Sequence, residues 1–396
     1  MTDTSVPTIS PAASPVALTG VRGDFRRLIM RGALLELVTL GFYRFWLATD
    51  MRRHFWSHTS VEGDAPEYTG TAKELLIGFL IALAILAPIY LAYFFIGLEA
   101  ERVQAFASIP LVLFFFLFYQ FAMYRARRYR LTRTIWRGVR FWMKGSGWSY
   151  AWRVGLWMLL VIITFGLALP WYQAAIERFK MRNSFYGDLP GRFDGTGGAF
   201  FKQVWWVWLV TLLVVIFVGG LAAAVPPAAG LFGMLTMVWG VFGYAIYKAC
   251  EWRWWLSGIR FGEVRFESKL PTSAFFGLYW KVIGWSWLIL FVLILWVGGI
   301  FGIVYSMAGG QNAGPQAFAM AFQGPAVLGL IVFGYIVCAL AFGVIVRIYL
   351  RRDIWAKVVA SAVVYNLAAA DNVAARGDAV NALGEGFADS FDIGGF

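Results

Sequence analysis

Charge is scarce in this chain of 396 residues: Asp, Glu, Lys and Arg together make up 14%, while apolar residues make up 60%. A soluble domain carries nearer a quarter charged residues and about half apolar ones, so the composition excludes a soluble globular class and points to a membrane protein. Cysteine is almost missing. Cys250 and Cys338 stand alone in apolar surroundings with no CxxC, which excludes a disulfide framework and a thiolate metal centre. Histidine is just as rare. His54 and His58 share a helix face by their i, i+4 spacing, but Arg52 and Arg53 beside them repel a cation and no HExxH glutamate is present. They read as interfacial histidines, and no metal is expected. Glycine-rich phosphate loops and Ser/His/Asp or Cys/His sets are missing too. No cofactor and no catalytic residue is expected, and an enzyme ranks last among the function classes for want of an acid, base or nucleophile.

What is abundant is long apolar sequence. Crossing the hydrocarbon takes about 20 residues, and six runs reach that length: about 74 to 97, 105 to 124, 204 to 225, 228 to 247, 282 to 307 and 325 to 346. Their interiors hold no ionisable residue, which counts against an ion-coupled carrier. Two further segments, 33 to 48 and 154 to 175, are shorter or interrupted. If these two enter and return, every basic cluster falls on one side, including nine Lys or Arg and no acid between Arg125 and Arg153. The positive-inside rule then puts that side in the cytoplasm. The expected fold is an all-α polytopic protein of the bacterial inner membrane. It has six full transmembrane helices in three hairpins, two partial or re-entrant segments, and both termini cytoplasmic. The rival is eight spans, because 154 to 175 is long enough to cross. The formal charge of +12 follows from the same topology, so nucleic acid is not an expected partner.

The two interrupted segments are copies of one another. Leu34, Leu35, Thr39, Gly41, Trp46 and Arg53 recur without gaps as Leu159, Leu160, Thr164, Gly166, Trp171 and Arg178, an internal repeat. A second pattern, Ser or Thr, then Gly, then an aromatic, recurs at 59 to 68, 134 to 141, 184 to 193 and 257 to 266. In its last copy Ile259, Phe261, Val264 and Phe266 alternate with polar residues around Gly262–Glu263, the signature of a β-hairpin. Small cytoplasmic β-hairpins are therefore expected, packing together or onto the helix ends, because a lone hairpin is marginal in water.

LLxLxTLGxYxxW followed by basic residues, and then TxxxGxx[FY]xxGT, resembles the YjgN-like family of bacterial inner-membrane proteins, from about Asp24 to Asn366. The resemblance implies a multi-pass membrane protein and supplies no activity. Three regions are expected: a disordered tail at 1–20, a repeat-built membrane domain at 21–366, and an acidic tail at 367–396. Apolar residues spaced through the acidic tail, among them Leu383 and Phe387, suit docking to the basic face or to a cytoplasmic protein.

Two sets of residues stand out as candidate sites. Arg125, Arg127, Arg128, Arg130, Arg133, Arg137 and Arg140 directly follow a span, where guanidinium forks can hold anionic lipid headgroups; the same charges also serve as a topology signal. Glu36 and Arg44, about two helical turns apart, suit a polar entry to a cavity, or else snorkel towards headgroups. The leading function is passage or binding of a small or lipid-like molecule, since repeats with broken helices recur in transporters. The alternative is a non-transporting organiser that recruits a cytoplasmic partner.

Overall fold

The computed structural model describes residues 13–102, 108–225, 229–307 and 323–378, with a few isolated positions besides. Eleven helices and ten strands are named in chain order. β1 (Ala13–Leu18) leads into α1 (Arg22–Val38) and α2 (Arg44–His58), followed by β2 (Thr59–Val61) and β3 (Glu67–Tyr68). The unit helix, two short strands, helix then recurs. α3 (Ala72–Arg102) and α4 (Ser108–Thr132) precede β4 (Thr134–Trp136) and β5 (Val139–Met143); α5 (Gly147–Ile163) and α6 (Leu169–Arg182) precede β6 (Ser184–Tyr186) and β7 (Leu189–Phe193). α7 (Gly197–Ala224) and α8 (Ala229–Gly258) precede β8 (Ile259–Phe261) and β9 (Val264–Ser268). Then come α9 (Phe276–Met307) and α10 (Pro325–Ile345). A π-helical stretch, Val346–Asp353, joins α10 to α11 (Ile354–Ala360), and β10 (Ala362–Tyr365) ends the set.

Four of the described helical stretches, Ala72–Gly97, Gly197–Ala224, Phe276–Met307 and Pro325–Ala360, are long and apolar enough to cross a membrane. Few of their residues are buried inside the protein, and Leu212, Phe217, Phe291, Ile294 and Tyr335 stand exposed on their surfaces. Such a surface suits contact with lipid. α4 and α8 occupy the two remaining apolar runs, and each continues past its run into basic sequence.

The two interrupted segments are helix–turn–helix reversals with matching chemistry. Thr39 Oγ1 donates to Leu35 O (2.6 Å) and accepts from Tyr43 N (2.9 Å), while Thr164 Oγ1 donates to Leu160 O (2.8 Å) and accepts from Ala168 N (3.1 Å). Each helix then ends on a residue pair with positive φ, Leu40–Gly41 and Phe165–Gly166. The glycine amide of each pair closes the helix end on Glu36 O (2.7 Å) or Val161 O (2.8 Å). Glycine adopts that conformation without the Cβ clash, which is why both copies keep it. Leu40 is 86% and Phe165 94% exposed at the tips, an arrangement suited to burying the tips in lipid.

Of the two arrangements expected for the hairpins, packing together or onto the helix ends, the strands take the first: β4–β5, β6–β7 and β8–β9 are hairpins within a single antiparallel sheet in the order β2-β1-β10-β9-β8-β7-β6-β5-β4-β3. Pairing supplies each short strand with partners that it cannot find alone. Residues 59 to 68 depart from the expected hairpin. β2 pairs with β1, β3 pairs with β4, and the two lie at opposite edges of the sheet. They are nonetheless joined by only five residues, 62–66, so the edges approach within roughly 20 Å, the reach of that linker. The sheet is thus curled into a half-barrel whose two edges, β2 and β3, are bridged by this linker as a seam. A further correction concerns the first twenty residues: Ala13–Leu18, expected within a disordered tail, form β1 and pair with both β2 and β10.

Candidate functional site

Alternation along the strands decides what the curled sheet encloses. Val16, Trp136, Phe141, Tyr186, Phe261, Val264, Phe266 and Val364 point inwards, and Arg140, Arg260 and Arg265 point outwards. Helix ends complete the enclosure from the other side: Phe55 and Trp56 of α2, Leu131 of α4, Trp255 and Leu256 of α8, and Trp355, Val358 and Val359 of α11. Together they line a cavity of about 410 Å³, within the size range of small-molecule sites.

The polar atoms of this wall are already used. Trp56 Nε1 donates to Thr134 Oγ1, Trp355 Nε1 to Thr59 Oγ1 and Trp255 Nε1 to Glu177 Oε2, each at 3.0 Å. The Thr134 hydroxyl donates to Arg130 O (2.9 Å) and the Tyr186 hydroxyl to Trp136 O (2.9 Å). What remains facing the cavity is hydrocarbon and aromatic ring. An occupant is therefore selected by apolar area and shape.

The chain after β10 runs across the mouth of the half-barrel. Asn366, with positive φ, turns it into a short 3₁₀ helix, Leu367–Ala370, whose Leu367 and Ala370 are buried among the inward side chains. Asp371 then meets Arg137 of the β4–β5 turn (2.7 Å), and Ala374 N donates to Asp188 Oδ1 of the β6–β7 turn (3.1 Å). Arg137 also reaches Asp64 (2.6 Å) and Glu62 (3.5 Å) in the seam linker. One guanidinium thus fastens both the seam and the strap across the mouth. The first part of the acidic tail, up to residue 378, is docked here. Its apolar positions Leu383 and Phe387 lie outside the described residues.

One helical turn from the cavity, on the side away from the sheet, lies a polar layer. Gln173 Nε2 donates to Glu251 Oε1 (2.7 Å), Tyr247 Oη to Gln173 Oε1 (2.9 Å) and Lys248 Nζ to Glu251 Oε2 (2.6 Å), and Lys180 pairs with Glu177. Gln173, Glu177, Lys248 and Glu251, with Trp252, Trp254 and Trp255, line a pocket of about 230 Å³. Burial pushes the Glu177 carboxyl up, but Lys180 and Arg127 more than offset it, so the group sits below its ordinary value. Burial pushes the Lys180 ammonium down, and Glu177 recovers only part of the shift.

The seven arginines singled out in the sequence separate into two groups. Arg133 pairs with Glu74 (2.7 Å), Arg137 holds three carboxylates, and Arg140 donates to Thr132 O. Their forks are occupied within the protein. Arg125 and Arg128 have no hydrogen bond or ion pair among the described residues, and Arg127 has only a weak contact to Met181 Sδ (3.8 Å). Arg130 gives up its carbonyl to Thr134 as described. Glu36 and Arg44 are not brought together. Glu36, 3% exposed at its side chain, takes a bidentate fork from Arg347 (2.8 and 2.9 Å), while Arg44 lies over the rings of Phe45 and Phe79. The partner Arg347 lay too far off in sequence for spacing to suggest it. His54 and His58 stack with ring centroids 4.2 Å apart, and His58 Nδ1 lies 2.7 Å from His54 O. Among the described residues no cluster of His, Cys, Asp or Glu could hold a metal.

Apolar helices with lipid-facing surfaces, set on a curled sheet, define a helical membrane protein with a barrel-like appendage. The chain belongs to the bacterial family of unknown function DUF898, whose model matches residues 13–390, and the YjgN-like proteins are that family. No curated protein and no solved structure matches the chain.

Proposed function

We propose that this protein binds a lipid-like molecule with a single apolar chain in the cavity of its curled sheet, and that it does so without ion coupling. One observation carries the proposal: a cavity of about 410 Å³ whose wall keeps every polar group for its own hydrogen bonds. Hydrocarbon filling an apolar cavity of this size gains dispersion contacts along its whole wall. The topology proposed around it has six full spans in three hairpins, made by α3, α4, α7, α8, α9 and α10. Two repeated re-entrant hairpins, α1–α2 and α5–α6, complete it, with the sheet and both termini on the cytoplasmic side of the inner membrane. It is supported by the matching Thr39 and Thr164 turns and by the basic clusters gathered at the sheet end. Membrane lipid is the proposed partner, and the cavity lies within reach of the cytoplasmic leaflet. The alternative function, an organiser that recruits a cytoplasmic partner through its basic hairpins, loses support because Arg133, Arg137 and Arg140 are engaged internally.

The test is binding of dodecanol and dodecanoate to the purified full-length protein in nanodiscs, followed by native mass spectrometry. Ala362→Phe and Leu189→Trp, which fill the cavity, should cost at least about tenfold in affinity, the equivalent of a few buried methylenes, and should leave the unfolding temperature within a few degrees. Equal binding by both filled variants and the wild type would place the ligand elsewhere.

A further inference from the structure

The apolar cavity says nothing about the far end of its ligand, but the layer next to it does. On the continuous helix α4, Leu131 lines the cavity, so Arg127 and Arg128, four and three residues earlier, lie one turn away on the same face. Arg127 is also placed from the other side. It acts electrostatically on Glu177, whose carboxylate binds the indole of Trp255, and the Trp255 ring is part of the cavity wall. The Nε atoms of Arg127 and Arg128 are buried and have no hydrogen-bond partner. A buried donor without a partner costs about 1–3 kcal/mol, more when charged, and native proteins keep few of them. Arg133 Nε is in the same position, but the Arg133 charge is met by Glu74.

Charge balance points the same way. The two carboxylates of this layer are already matched, Glu177 by Lys180 and Glu251 by Lys248. Arg125, Arg127 and Arg128 therefore form a cationic surplus with no carboxylate of their own among the described residues. Burial and the neighbouring Arg128 push the Arg125 guanidinium down, as expected where like charges crowd without an anion.

We infer that the ligand of the apolar cavity is a single-chain anionic amphiphile, its tail among the inward side chains of the sheet and its carboxylate or phosphate head against Arg127 and Arg128. The inference rests on the proposed apolar site and adds the head. A guanidinium fork binds either oxyanion bidentately, and Trp255, which lines the apolar cavity and donates to Glu177 of the polar layer, marks where head and tail divide. Arg125 contributes long-range attraction.

The experiment compares dodecanoate, dodecyl phosphate and dodecanol on the wild-type protein in nanodiscs, then on Arg127→Gln/Arg128→Gln and on Arg133→Gln. The wild type should bind at least one anionic probe about tenfold or more tighter than dodecanol, the fold-change of a single charge-assisted hydrogen bond. The double variant should bind that probe no better than the alcohol, with alcohol binding unchanged, and Arg133→Gln should behave as wild type. The preferred probe identifies the head as carboxylate or phosphate. Equal binding of all three probes to the wild type overturns the anionic head and leaves the apolar site standing; this comparison needs no variant to fold. Failure of every probe to bind overturns the apolar site itself.

Discussion

Glu36 and Arg347 offer the sharpest energetic test of the fold, because they tie α1 to the π-helical stretch that follows α10. The Glu36 side chain is 3% exposed and that of Arg347 20%, and two hydrogen bonds of 2.8 and 2.9 Å join them. Desolvating both ions costs several kcal/mol each, offset by attraction at short range and by the bidentate geometry. Removing one partner strands the other charge. Breaking such a pair typically costs 3–5 kcal/mol, and since Arg347 retains some exposure, Glu36→Leu should destabilise by about 3 kcal/mol and Arg347→Leu, which strands the more deeply buried carboxylate, by rather more. The double variant, with no charge left to desolvate, should return to within about 1 kcal/mol of the wild type. Tryptophan fluorescence during denaturant unfolding in detergent reads all four corners of the cycle. If the double variant loses as much as the two singles summed, the charges are not coupled and the proposed tie between α1 and the π-helical stretch is refuted.

Three further outcomes follow from the geometry. Arg137→Gln leaves Glu62, Asp64 and Asp371 facing one another; because these carboxylates are about half exposed, the loss should be about 1–2 kcal/mol, with proteolysis after β10 accelerated as the strap loosens. A Cβ at Gly191 would meet the Met181 and Ser184 carbonyl oxygens at 2.7 and 2.8 Å, backbone atoms that cannot turn away, so Gly191→Ala should cost about 1–3 kcal/mol in thermal unfolding. Burial, His58 and Arg352 hold the His54 imidazole below the ordinary value of 6.5, with Asp24 opposing. The unfolded chain then binds the extra proton first, so the stability from neutral His54 is complete above about pH 6.5 and declines as pH falls below it. Unfolding temperature measured against pH should show that decline, and His54→Gln should flatten it.

Which parts of this were legible in the sequence follows from the range of the interactions. The reversals at Thr39–Gly41 and Thr164–Gly166 are local, set by a hydroxyl four residues from its acceptor and a glycine two residues on, and their shared spacing was readable in the sequence. The strands were readable as alternation around Gly262–Glu263, but their assembly into one sheet was not. Neighbours such as β1 and β10 are brought together by the helices, and no local spacing encodes that. Residues 62–66 misled for a related reason. Glu62–Gly63 has the positive φ of a tight hairpin turn, yet the linker spans a seam. The arginine cluster was legible as charge and not as partners. Arg137 found Asp371, and Arg133 found Glu74, across separations that a charge count does not resolve. Arg127 and Arg128 emerged only when those others were removed from the set.

The order of synthesis gives the sheet a timetable. Strand β1 leaves the ribosome about 350 residues before its register partner in β10, Ala13 against Tyr365. Every hydrophobic helix described between them has by then been synthesised. For most of translation β1 therefore has β2 alone, at Val16–Leu18, and its other edge stays open. Synthesis of the apolar helices and completion of the sheet are thereby separate events, the second awaiting β10. A nascent chain stalled before Ala362 should hold every one of these helices and still lack the strand that joins β1 to β9.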